Sequence, residues 1–287
     1  MYDLLIIGGG PAGLSAAMTA RNRNLTVCVI CGGAADSALY KAGHVTNYPG
    51  VPDVSGPALL ETMTQQARDL GADMLRERAL SAMPMGKTFG VSAGKEFVEG
   101  RALLLATGIA QRGTFPGETA FLGRGVSYCA TCDGMLYRGK TVVVNGGGNT
   151  AVGDALYLAK LCKKVYLVHR RDELRASAVY RDALRENGVE ILWNSRITAL
   201  RKEKRLTGVE VEDLRTGARR ELFCDGLFVA IGRVPDTALF AGQVELDPSG
   251  YIVADETTRT SVPGVFAVGD ARTKAVRQIV TAVADGA

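Results

Sequence analysis

Two cysteines and an acid at close spacing are the residues of this chain best suited to chemistry. They are Cys129, Cys132 and Asp133, within the run Ser-Tyr-Cys-Ala-Thr-Cys-Asp-Gly at 127–134. Two thiols at this spacing can close a disulfide if a turn or a helix start brings their Cβ atoms together. Such a disulfide stores two electrons and exchanges them with other thiols. The same spacing is also half of a zinc site, so the motif alone leaves both chemistries open.

A zinc site would need a second pair of Cys or His ligands. Cys162 and Cys224 are isolated in the sequence, and His169 belongs to another motif described below. We therefore predict that the chain has no metal site. Cys28 and Cys31 repeat the spacing, but residues three apart on a strand point to opposite faces. We interpret them as core or strand-end residues and not as a redox pair.

The overall composition is that of an ordinary globular protein. The 287 residues suffice for one large or two ordinary domains, and 47% are hydrophobic and 22% charged. A net charge of +4 gives no argument for nucleic acid or membrane as a partner. We find neither a signal peptide nor an apolar run long enough to span a bilayer, so we expect a cytoplasmic protein. In a reducing compartment a Cys-x-x-Cys pair is more often redox-active or metal-binding than a permanent crosslink.

A glycine-rich fingerprint precedes the cysteines. Residues 3–7 form an apolar run typical of a buried strand, and 8–13 read Gly-Gly-Gly-Pro-Ala-Gly. A helical pattern at 14–23 and a second strand at 25–30 follow. This order of strand, glycine turn, helix and strand predicts a dinucleotide-binding unit. The helix N-terminus would face the pyrophosphate with unpaired N–H groups.

The end of the second strand lacks one part of this fingerprint. An Asp or Glu is expected there to bind the ribose hydroxyls. Cys31, Gly32 and Gly33 take its place, and the nearest acid, Asp36, lies beyond the turn. We therefore expect ribose recognition at this site to differ from the usual pattern.

A second fingerprint follows the cysteines. Residues 141–145 form a buried strand, 146–151 read Gly-Gly-Gly-Asn-Thr-Ala, a helix runs to Leu161, and 164–168 form the next strand. Two units of the same kind are much stronger evidence for nucleotide binding than one. The remainder is predicted as a helix at 57–70, a strand at 101–106, antiparallel strands and turns over 189–229, a strand at 265–268 and a final helix from 277–278 to Ala287.

A cluster of cationic residues ends the second unit. His169, Arg170, Arg171 and Arg175 follow its last strand. Because a guanidinium pairs bidentately with phosphate, these arginines favour a 2′-phosphate and thus NADPH over NADH. The alternative is a solvated basic face. His169 is expected to stack on the nucleotide or to hydrogen-bond with it.

With these motifs in place, the chain resembles the low-molecular-weight thioredoxin reductases, which are FAD-dependent pyridine nucleotide-disulfide oxidoreductases. The resemblance covers essentially the whole length. It rests on the segments 8–13, 47–50 (Asn-Tyr-Pro-Gly), 106–108 (Ala-Thr-Gly), 129–133, 146–151, 169–172 with Arg175, 269–270 (Gly-Asp) and 277–278 (Arg-Gln).

The resemblance implies an α/β fold of two Rossmann-like, three-layer nucleotide-binding domains, the second inserted in the first. Residues 1–112 and 243–287 would bind FAD, and 113–242 would bind NADPH and carry the disulfide. The implied FAD-binding residues are Gly8, Gly10, Pro11, Ala12, Gly13, Asn47, Ala106, Thr107, Gly108, Gly269, Asp270, Arg277 and Gln278. The implied NADPH-binding residues are Gly146, Gly148, Asn149, Thr150, Ala151, His169, Arg170, Arg171 and Arg175.

The implied activity is that of a thioredoxin reductase. Electrons would pass from NADPH through FAD to the Cys129–Cys132 disulfide and on to thioredoxin or a thioredoxin-like protein. Cys132 would lie against the flavin, Cys129 would attack the partner disulfide, and Asp133 would move protons. The alternative for Asp133 is a structural helix cap. The family also implies a homodimer, rotation of one domain against the other, and a terminal segment beyond Ala287.

Several residues depart from the family pattern and keep other functions open. The family has Glu where this chain has Cys31, and a Gly-Gly-Gln loop within 34–39. Asn149 and Thr150 replace Asp-Ser, and Gly153 replaces Glu. One alternative is therefore a ferredoxin-linked or small-molecule disulfide reductase or oxidase of the same fold. Another is a flavin-binding, redox-responsive module of low turnover.

Overall fold

A computed structural model describes residues 1–111, 115–174 and 178–287 and divides the chain into two compact units. Unit 1 comprises Met1–Ala110 and Val234–Ala287, and unit 2 comprises Gln111–Arg233. Unit 2 is thus inserted in the sequence of unit 1. Each unit holds a parallel sheet with helices packed on it, so the predicted α/β fold of two nucleotide-binding domains is confirmed.

The elements are numbered in chain order. The strands are β1 (Tyr2–Ile7), β2 (Val27–Ile30), β3 (Asp73–Leu75), β4 (Ala79–Met85), β5 (Thr88–Ala93), β6 (Glu96–Leu105), β7 (Ile109–Gln111), β8 (Val126–Ser127), β9 (Thr141–Asn145), β10 (Lys164–Val168), β11 (Glu190–Leu192), β12 (Ser195–Lys202), β13 (Leu206–Asp213), β14 (Arg219–Phe223), β15 (Gly226–Val229), β16 (Arg233–Pro235) and β17 (Val265–Ala267). The helices are α1 (Pro11–Asn22), α2 (Gly56–Asp69), α3 (Ala130–Asp133), α4 (Asn149–Ala159), α5 (Ala178–Glu186) and α6 (Ile279–Gly286).

Unit 1 is built on a seven-stranded sheet in the order β3-β2-β1-β6-β5-β4, with β17 also paired to β6. The sheet is parallel in one part, where β1 pairs with β2 and with the second half of β6, β2 pairs with β3, and β17 pairs with β6. Alternate residues of β1 enter opposite cores, since Ile6 packs with the helices whereas Leu5 and Ile7 pack on the other face. A parallel sheet buried on both faces explains the continuous apolar run at 3–7.

Unit 2 contains a five-stranded parallel sheet in the order β11-β10-β9-β15-β8, and a three-stranded antiparallel sheet of β12, β13 and β14. Val142 and Val144 face one core and Val143 the other, as in the first unit. The prediction of antiparallel strands over 189–229 was therefore partly wrong. Strand β15 joins the parallel sheet as an apolar run that is buried on both sides, and β11 pairs with β10 at the edge of the same sheet.

Cys28 and Cys31 lie on opposite faces of the sheet, as predicted from their spacing. Cys28 belongs to one core of the unit 1 sheet, and Cys31, just past β2, packs against the other. Both are free thiols. In the part of the chain that the structure describes, no helix has the length and apolar character needed to cross a bilayer.

Candidate redox site and nucleotide-binding turns

The first glycine turn is closed by contacts that only glycine permits. Gly8 has φ +120°, and a Cβ atom on it would collide with the carbonyl oxygen of Ala106. A Cβ on Gly13 would collide with the carbonyl oxygen of Gly8. Helix α1 then begins with Pro11 at its first turn, and its N-cap residue, Gly10, provides no side-chain cap. The N–H groups of this turn can therefore serve an anion, as a dinucleotide pyrophosphate requires.

Thr107 supplies a polar atom beside this turn. Its segment follows β6, and its buried hydroxyl oxygen has no hydrogen-bond partner among the described residues. A buried hydroxyl without a partner costs free energy in the folded protein, which a bound polar ligand would recover. Gly108, with φ +69°, then turns the chain away. The predicted set of Ala106, Thr107 and Gly108 thus lies against Gly8 and presents an unused hydrogen-bonding group.

Unit 1 brings together residues that lie far apart in the sequence. The Asn47 amide donates a hydrogen bond to the Oε1 atom of Gln278 at 3.0 Å. Gln278 is also the N-cap of α6 and forms a capping box with Thr281. Arg277 donates to the carbonyl oxygen of Asp270 at 3.4 Å, and its guanidinium lies 4.1 Å from the ring centroid of Tyr251. The predicted residues at 47, 270, 277 and 278 thus fall into two directly bonded pairs.

The carboxylate of Asp285 organises the turn at Gly269. It accepts the Gly269 N–H at 2.8 Å, two bonds from the Arg272 guanidinium at 2.8 and 2.9 Å, and one from Lys274 at 2.9 Å. Only 2% of the Arg272 side chain and 6% each of those of Lys274 and Asp285 are exposed. Burial would raise the pKa of Asp285, but the hydrogen bonds from Arg272, Lys274 and Gly269 outweigh it and lower that pKa.

The second glycine turn is shaped by a buried histidine. A Cβ on Gly147 would collide with Nδ1 and Cε1 of His169 and lie 2.6 Å from its Cγ. Only 7% of His169 is exposed, and its Nε2 lies 2.9 Å from the carbonyl oxygen of Glu173. The ring also makes an edge contact with Trp193. His169 therefore joins the glycine turn to the loop after β10, and the expected contact of its ring with the nucleotide stays a prediction.

The arginine cluster is described in part. Arg170 and Arg171 follow β10 and are exposed, whereas Arg175 lies outside the described residues. Helix α4 starts at Asn149, and its N-cap Gly148 provides no side-chain cap. Asn149 and Thr150 are exposed at this end. Exposed guanidinium groups and unpaired N–H groups in one unit are the two features that recognise a phosphate.

Cys129 and Cys132 form a disulfide, with their Cα atoms 5.3 Å apart. Cys129 is the N-cap of the short helix α3, and its Sγ accepts the N–H of Cys132 at 3.2 Å. Both residues are half-buried. The half-exposed pair can therefore be reached by another redox group, and one of its sulfur atoms already has a hydrogen-bond donor.

Ser127 links the disulfide to Asp133. Its hydroxyl donates to Oδ2 of Asp133 at 2.6 Å and accepts the N–H of Cys129 at 3.0 Å. Only 3% of Ser127 is exposed. Asp133 makes no side-chain cap on the 3-10 turn at Gly134–Tyr137 that follows it, within the part of the chain that is described. The geometry thus disfavours the cap alternative for Asp133 and adds Ser127, which the motif search missed.

The disulfide motif packs against the helix of the second fingerprint. Gly134 is buried, and a Cβ on it would lie 2.9 Å from the Tyr157 ring and 3.1 Å from a Leu158 methyl group. Both belong to α4, the helix that begins at the second glycine turn. Glycine at 134 therefore allows α3 to pack closely on α4. This packing fixes the disulfide within the same unit as the second nucleotide-binding turn.

The remaining cysteines are suited to packing and not to catalysis. Burial raises the pKa of Cys28 and of Cys162 to about 11, and that of Cys224 to about 12. These thiols stay protonated near neutral pH and are weak nucleophiles. Among residues 1–111, 115–174 and 178–287, no group of three or more His, Cys, Asp and Glu side chains could hold a metal ion.

Asp285 was also missed by sequence reasoning, although a signal was present. It is the only charged residue in the apolar run Ile279–Gly286. A charge inside a buried apolar helix is expected to have charged or hydrogen-bonded partners. The sequence could have predicted that Asp285 has such partners but not which they are.

Known proteins share this arrangement over the full chain. Residues 2–286 match the pyridine nucleotide-disulphide oxidoreductase family. A thioredoxin reductase of Treponema pallidum (strain Nichols) is 42% identical over 289 residues, covering 100% of this chain and 94% of that protein. A bifunctional thioredoxin reductase/thioredoxin of Mycobacterium leprae is 39% identical over 291 residues, covering 100% of this chain and 64% of that protein.

A solved structure shows the same similarity in three dimensions. The crystal structure of thioredoxin reductase from Streptococcus pyogenes MGAS5005 has a TM-score of 0.93 and 37% sequence identity to this chain. The comparison covers 100% of this chain and 94% of that one. Sequence and structure therefore point to the same group of proteins.

Proposed function

Because the chain belongs to the pyridine nucleotide-disulphide oxidoreductase family, we propose that it is a thioredoxin reductase that uses NADPH and FAD. The observation that carries this proposal is the Cys129–Cys132 disulfide, held on the helix that starts at the second glycine turn. A disulfide mounted on a nucleotide-binding unit is suited to passing electrons from a nicotinamide cofactor to a protein disulfide.

The residues of unit 1 suit FAD. The uncapped start of α1 would receive the pyrophosphate, and the buried Thr107 hydroxyl offers a further hydrogen bond. We propose that unit 1 is the FAD-binding domain, with Gly269 and Asp270 near the ribityl–phosphate part. Asn47, Arg277 and Gln278 would lie near the isoalloxazine.

The residues of unit 2 suit NADPH. The uncapped start of α4 would receive its pyrophosphate, and the exposed Arg170 and Arg171 would bind the 2′-phosphate. When bound, the two cofactors supply hydride transfer and deliver two electrons to the disulfide. The protein binds and orients them and handles the protons.

Two electrons and two protons convert the Cys129–Cys132 disulfide into two thiols. The Cys129 thiolate then attacks a disulfide of the partner, which forms a mixed disulfide and releases one partner thiolate. The Cys132 thiolate attacks the Cys129 sulfur, restores the internal disulfide and releases the second partner thiolate. Asp133, bonded to Ser127, would deliver and collect the protons.

Cys129 is assigned the exchange role because of one hydrogen bond. The N–H of Cys132 donates to Sγ of Cys129, and an N–H at a helix start stabilises a thiolate. Because a thiolate is the attacking species in thiol–disulfide exchange, this N–H favours Cys129 as the sulfur that attacks an external disulfide. Cys132 is left as the thiol that meets the flavin.

Rapid mixing of the FAD-loaded protein with NADPH tests the proposal. Fast bleaching of the flavin absorbance, followed by reduction of thioredoxin, is the expected result. Bleaching by reduced ferredoxin and not by NADPH would instead support a ferredoxin-linked enzyme. A flavin that neither donor reduces would contradict the proposal and leave a flavin-binding redox-responsive module.

Two cysteine variants separate flavin chemistry from disulfide chemistry. Cys129→Ser and Cys132→Ser should each abolish thioredoxin reduction, while NADPH still bleaches the flavin. Cys224→Ser is the matched control, because this buried thiol lies in the same unit and outside the disulfide. Full thioredoxin turnover in either active-site variant would refute the assignment.

The partner proposed for this enzyme is thioredoxin or a thioredoxin-like protein. The support is that a Mycobacterium leprae relative is named as a bifunctional thioredoxin reductase/thioredoxin. Ferredoxin as an electron donor, a homodimer and a cytoplasmic location stay predictions. Size-exclusion chromatography with light scattering would test the dimer.

A further inference from the structure

The end of β2 presents no carboxylate of its own to a ribose. Cys31 occupies the position at which the dinucleotide fold usually has an acid. Its burial raises the pKa of the thiol, although Arg68 and Arg76 partly oppose that shift. The thiol therefore stays neutral near pH 7, and a neutral thiol accepts hydrogen bonds only weakly. The ribose hydroxyls, which donate, need another acceptor.

The segment after β2 folds back toward that position. Residues Ala34–Asp36 form a 3-10 turn. The carboxylate of Asp36 covers Gly32, since a Cβ on Gly32 would collide with its Oδ2 and lie 3.6 Å from its Cγ. Asp36 is exposed and adds to the upward shift of the Cys31 pKa, so its charge acts on the end of β2. Its carboxylate is thus both accessible and close to the missing acid's position.

Ser37, the residue after this turn, lies close to the glycine fingerprint. A Cβ on Gly10 would lie 3.8 Å from the Ser37 hydroxyl oxygen. A Cβ on Gly9 would lie 2.8 Å from Cβ and 3.0 Å from Sγ of Cys31. The 3-10 turn and the residue after it therefore border the space between the glycine turn and the end of β2. In dinucleotide-binding folds this space receives the adenosine ribose.

We propose that Asp36 accepts the ribose hydroxyls of the FAD adenosine, replacing the acid that Cys31 has displaced. This inference rests on the proposed function, because it takes FAD to be the ligand of unit 1. The acidic residue lies in the turn that follows β2 and not at the end of the strand. Its side chain places the carboxylate near the end of β2. Asp36 is thus assigned as a binding residue that determines affinity for the adenosine half of the cofactor.

The test compares FAD with an analogue whose adenosine is 2′,3′-dideoxyadenosine. Affinities are measured on the apoprotein by quenching of flavin fluorescence, which needs no turnover. Since a hydrogen bond to a charged group contributes about 1.5 kcal/mol or more, wild type should bind FAD about tenfold more tightly than the analogue. Asp36→Ala should bind FAD and the analogue with equal affinity, and that affinity should be weaker than that of wild type for FAD. Asp69→Ala removes an exposed carboxylate from α2 in the same unit and should keep the full preference.

Two outcomes overturn the inference without touching the proposed function. One is an Asp36→Ala protein that keeps the wild-type preference for FAD over the analogue. The other is a wild-type protein that binds FAD and the analogue with equal affinity. Asp36→Asn, which keeps the size of the side chain, should show a preference between those of wild type and Asp36→Ala. If wild type binds neither ligand, the proposed function itself fails.

Discussion

The carboxylate of Asp285 accepts the backbone N–H of Gly269 at 2.8 Å and thereby ties the last helix to the Gly269–Asp270 turn. Arg272 and Lys274 bond to the same carboxylate from the segment between them. The four residues form a buried cluster with more positive than negative charge inside it. The exposed Glu256, 3.2 Å from Arg272, is a further acidic partner. The shape of the turn assigned to the cofactor thus depends on one carboxylate.

Asp285→Asn should destabilise unit 1 and weaken FAD binding. The variant leaves Arg272 and Lys274 buried with less compensation, and breaking a buried ion pair costs about 3–5 kcal/mol. Chemical unfolding of the apoprotein would report the stability loss, and flavin fluorescence the affinity. Asp255→Asn is the control, since that carboxylate is exposed and caps a local turn through Thr257. Equal stability of the Asp285 and Asp255 variants would contradict this account.

The stability of unit 1 should fall in acid because of the same carboxylate. A carboxyl group whose pKa is lower in the folded than in the unfolded state stabilises the fold at pH above its unfolded pKa. That contribution is lost as the pH falls through the folded value. The pKa of Asp285 is lowered below its ordinary value, so the loss should begin below about pH 4.

Comparing the stability of wild type and Asp285→Asn at each pH shows how much of the pH dependence is due to Asp285. The stability gap between wild type and Asp285→Asn should be constant from neutral pH to about pH 5 and shrink below pH 4. Urea unfolding at each pH measures it. A gap that stays constant into strong acid would show that ionisation of Asp285 does not contribute.

The parts of the structure that sequence could predict are those with a local signal. The strands at 3–7 and 141–145 are apolar runs next to glycine turns. The apolar run and the adjoining turn are both visible in the local sequence, so these strands could be predicted. The pairing of Cys129 with Cys132 was equally local. By contrast, strands β11 and β15 were misassigned because a short apolar run does not reveal whether its neighbours are parallel.

The residues and side-chain orientations that the sequence did not predict depend on contacts between residues distant in the sequence or on the direction of a side chain. Asp285 meets Gly269 across 16 residues, and no motif connects them. The buried orientation of His169 follows from its contact with Gly147, on the far side of a helix and a strand. Ser127 lies next to the motif, but a serine has many local partners. Tertiary packing decided these roles, and sequence patterns do not encode it residue by residue.

Ser127→Ala should slow thioredoxin reduction and change its pH profile. The variant removes the hydrogen bond to Asp133 and the acceptor for the Cys129 N–H, which would leave the proton-transferring group less well oriented. We expect kcat to fall about tenfold, a small part of what a general acid–base group can contribute. Flavin reduction by NADPH should remain at the wild-type rate. The pH dependence of kcat is the readout that separates positioning from a general loss of stability.

Thr198→Val is the matched control for Ser127→Ala. It removes a hydroxyl-to-carboxylate hydrogen bond of similar length, 2.7 Å to Glu210, from the antiparallel sheet of the same unit. Its turnover and pH profile should equal those of wild type. If both variants changed turnover to the same degree, the link between Ser127 and Asp133 would have no special role.

Gly147→Ala should weaken NADPH binding, whereas Gly153→Ala should not. A Cβ on Gly147 would collide with the His169 ring, which would have to leave its site and release the loop that carries Arg170 and Arg171. Gly153 lies in α4, and apart from its chain neighbours and the helix's own backbone no atom would lie within 4 Å of a Cβ on it. Alanine there should stabilise the helix by about 0.5–1 kcal/mol.

The two glycine variants are compared by the KM for NADPH and by thermal unfolding. Gly147→Ala should raise KM about tenfold or more, since losing a charge-assisted phosphate contact costs about 1.5–3 kcal/mol. Gly153→Ala should keep the wild-type KM and unfold at a higher temperature. An unchanged KM in Gly147→Ala would mean that the His169 ring does not hold the arginine loop in its binding position.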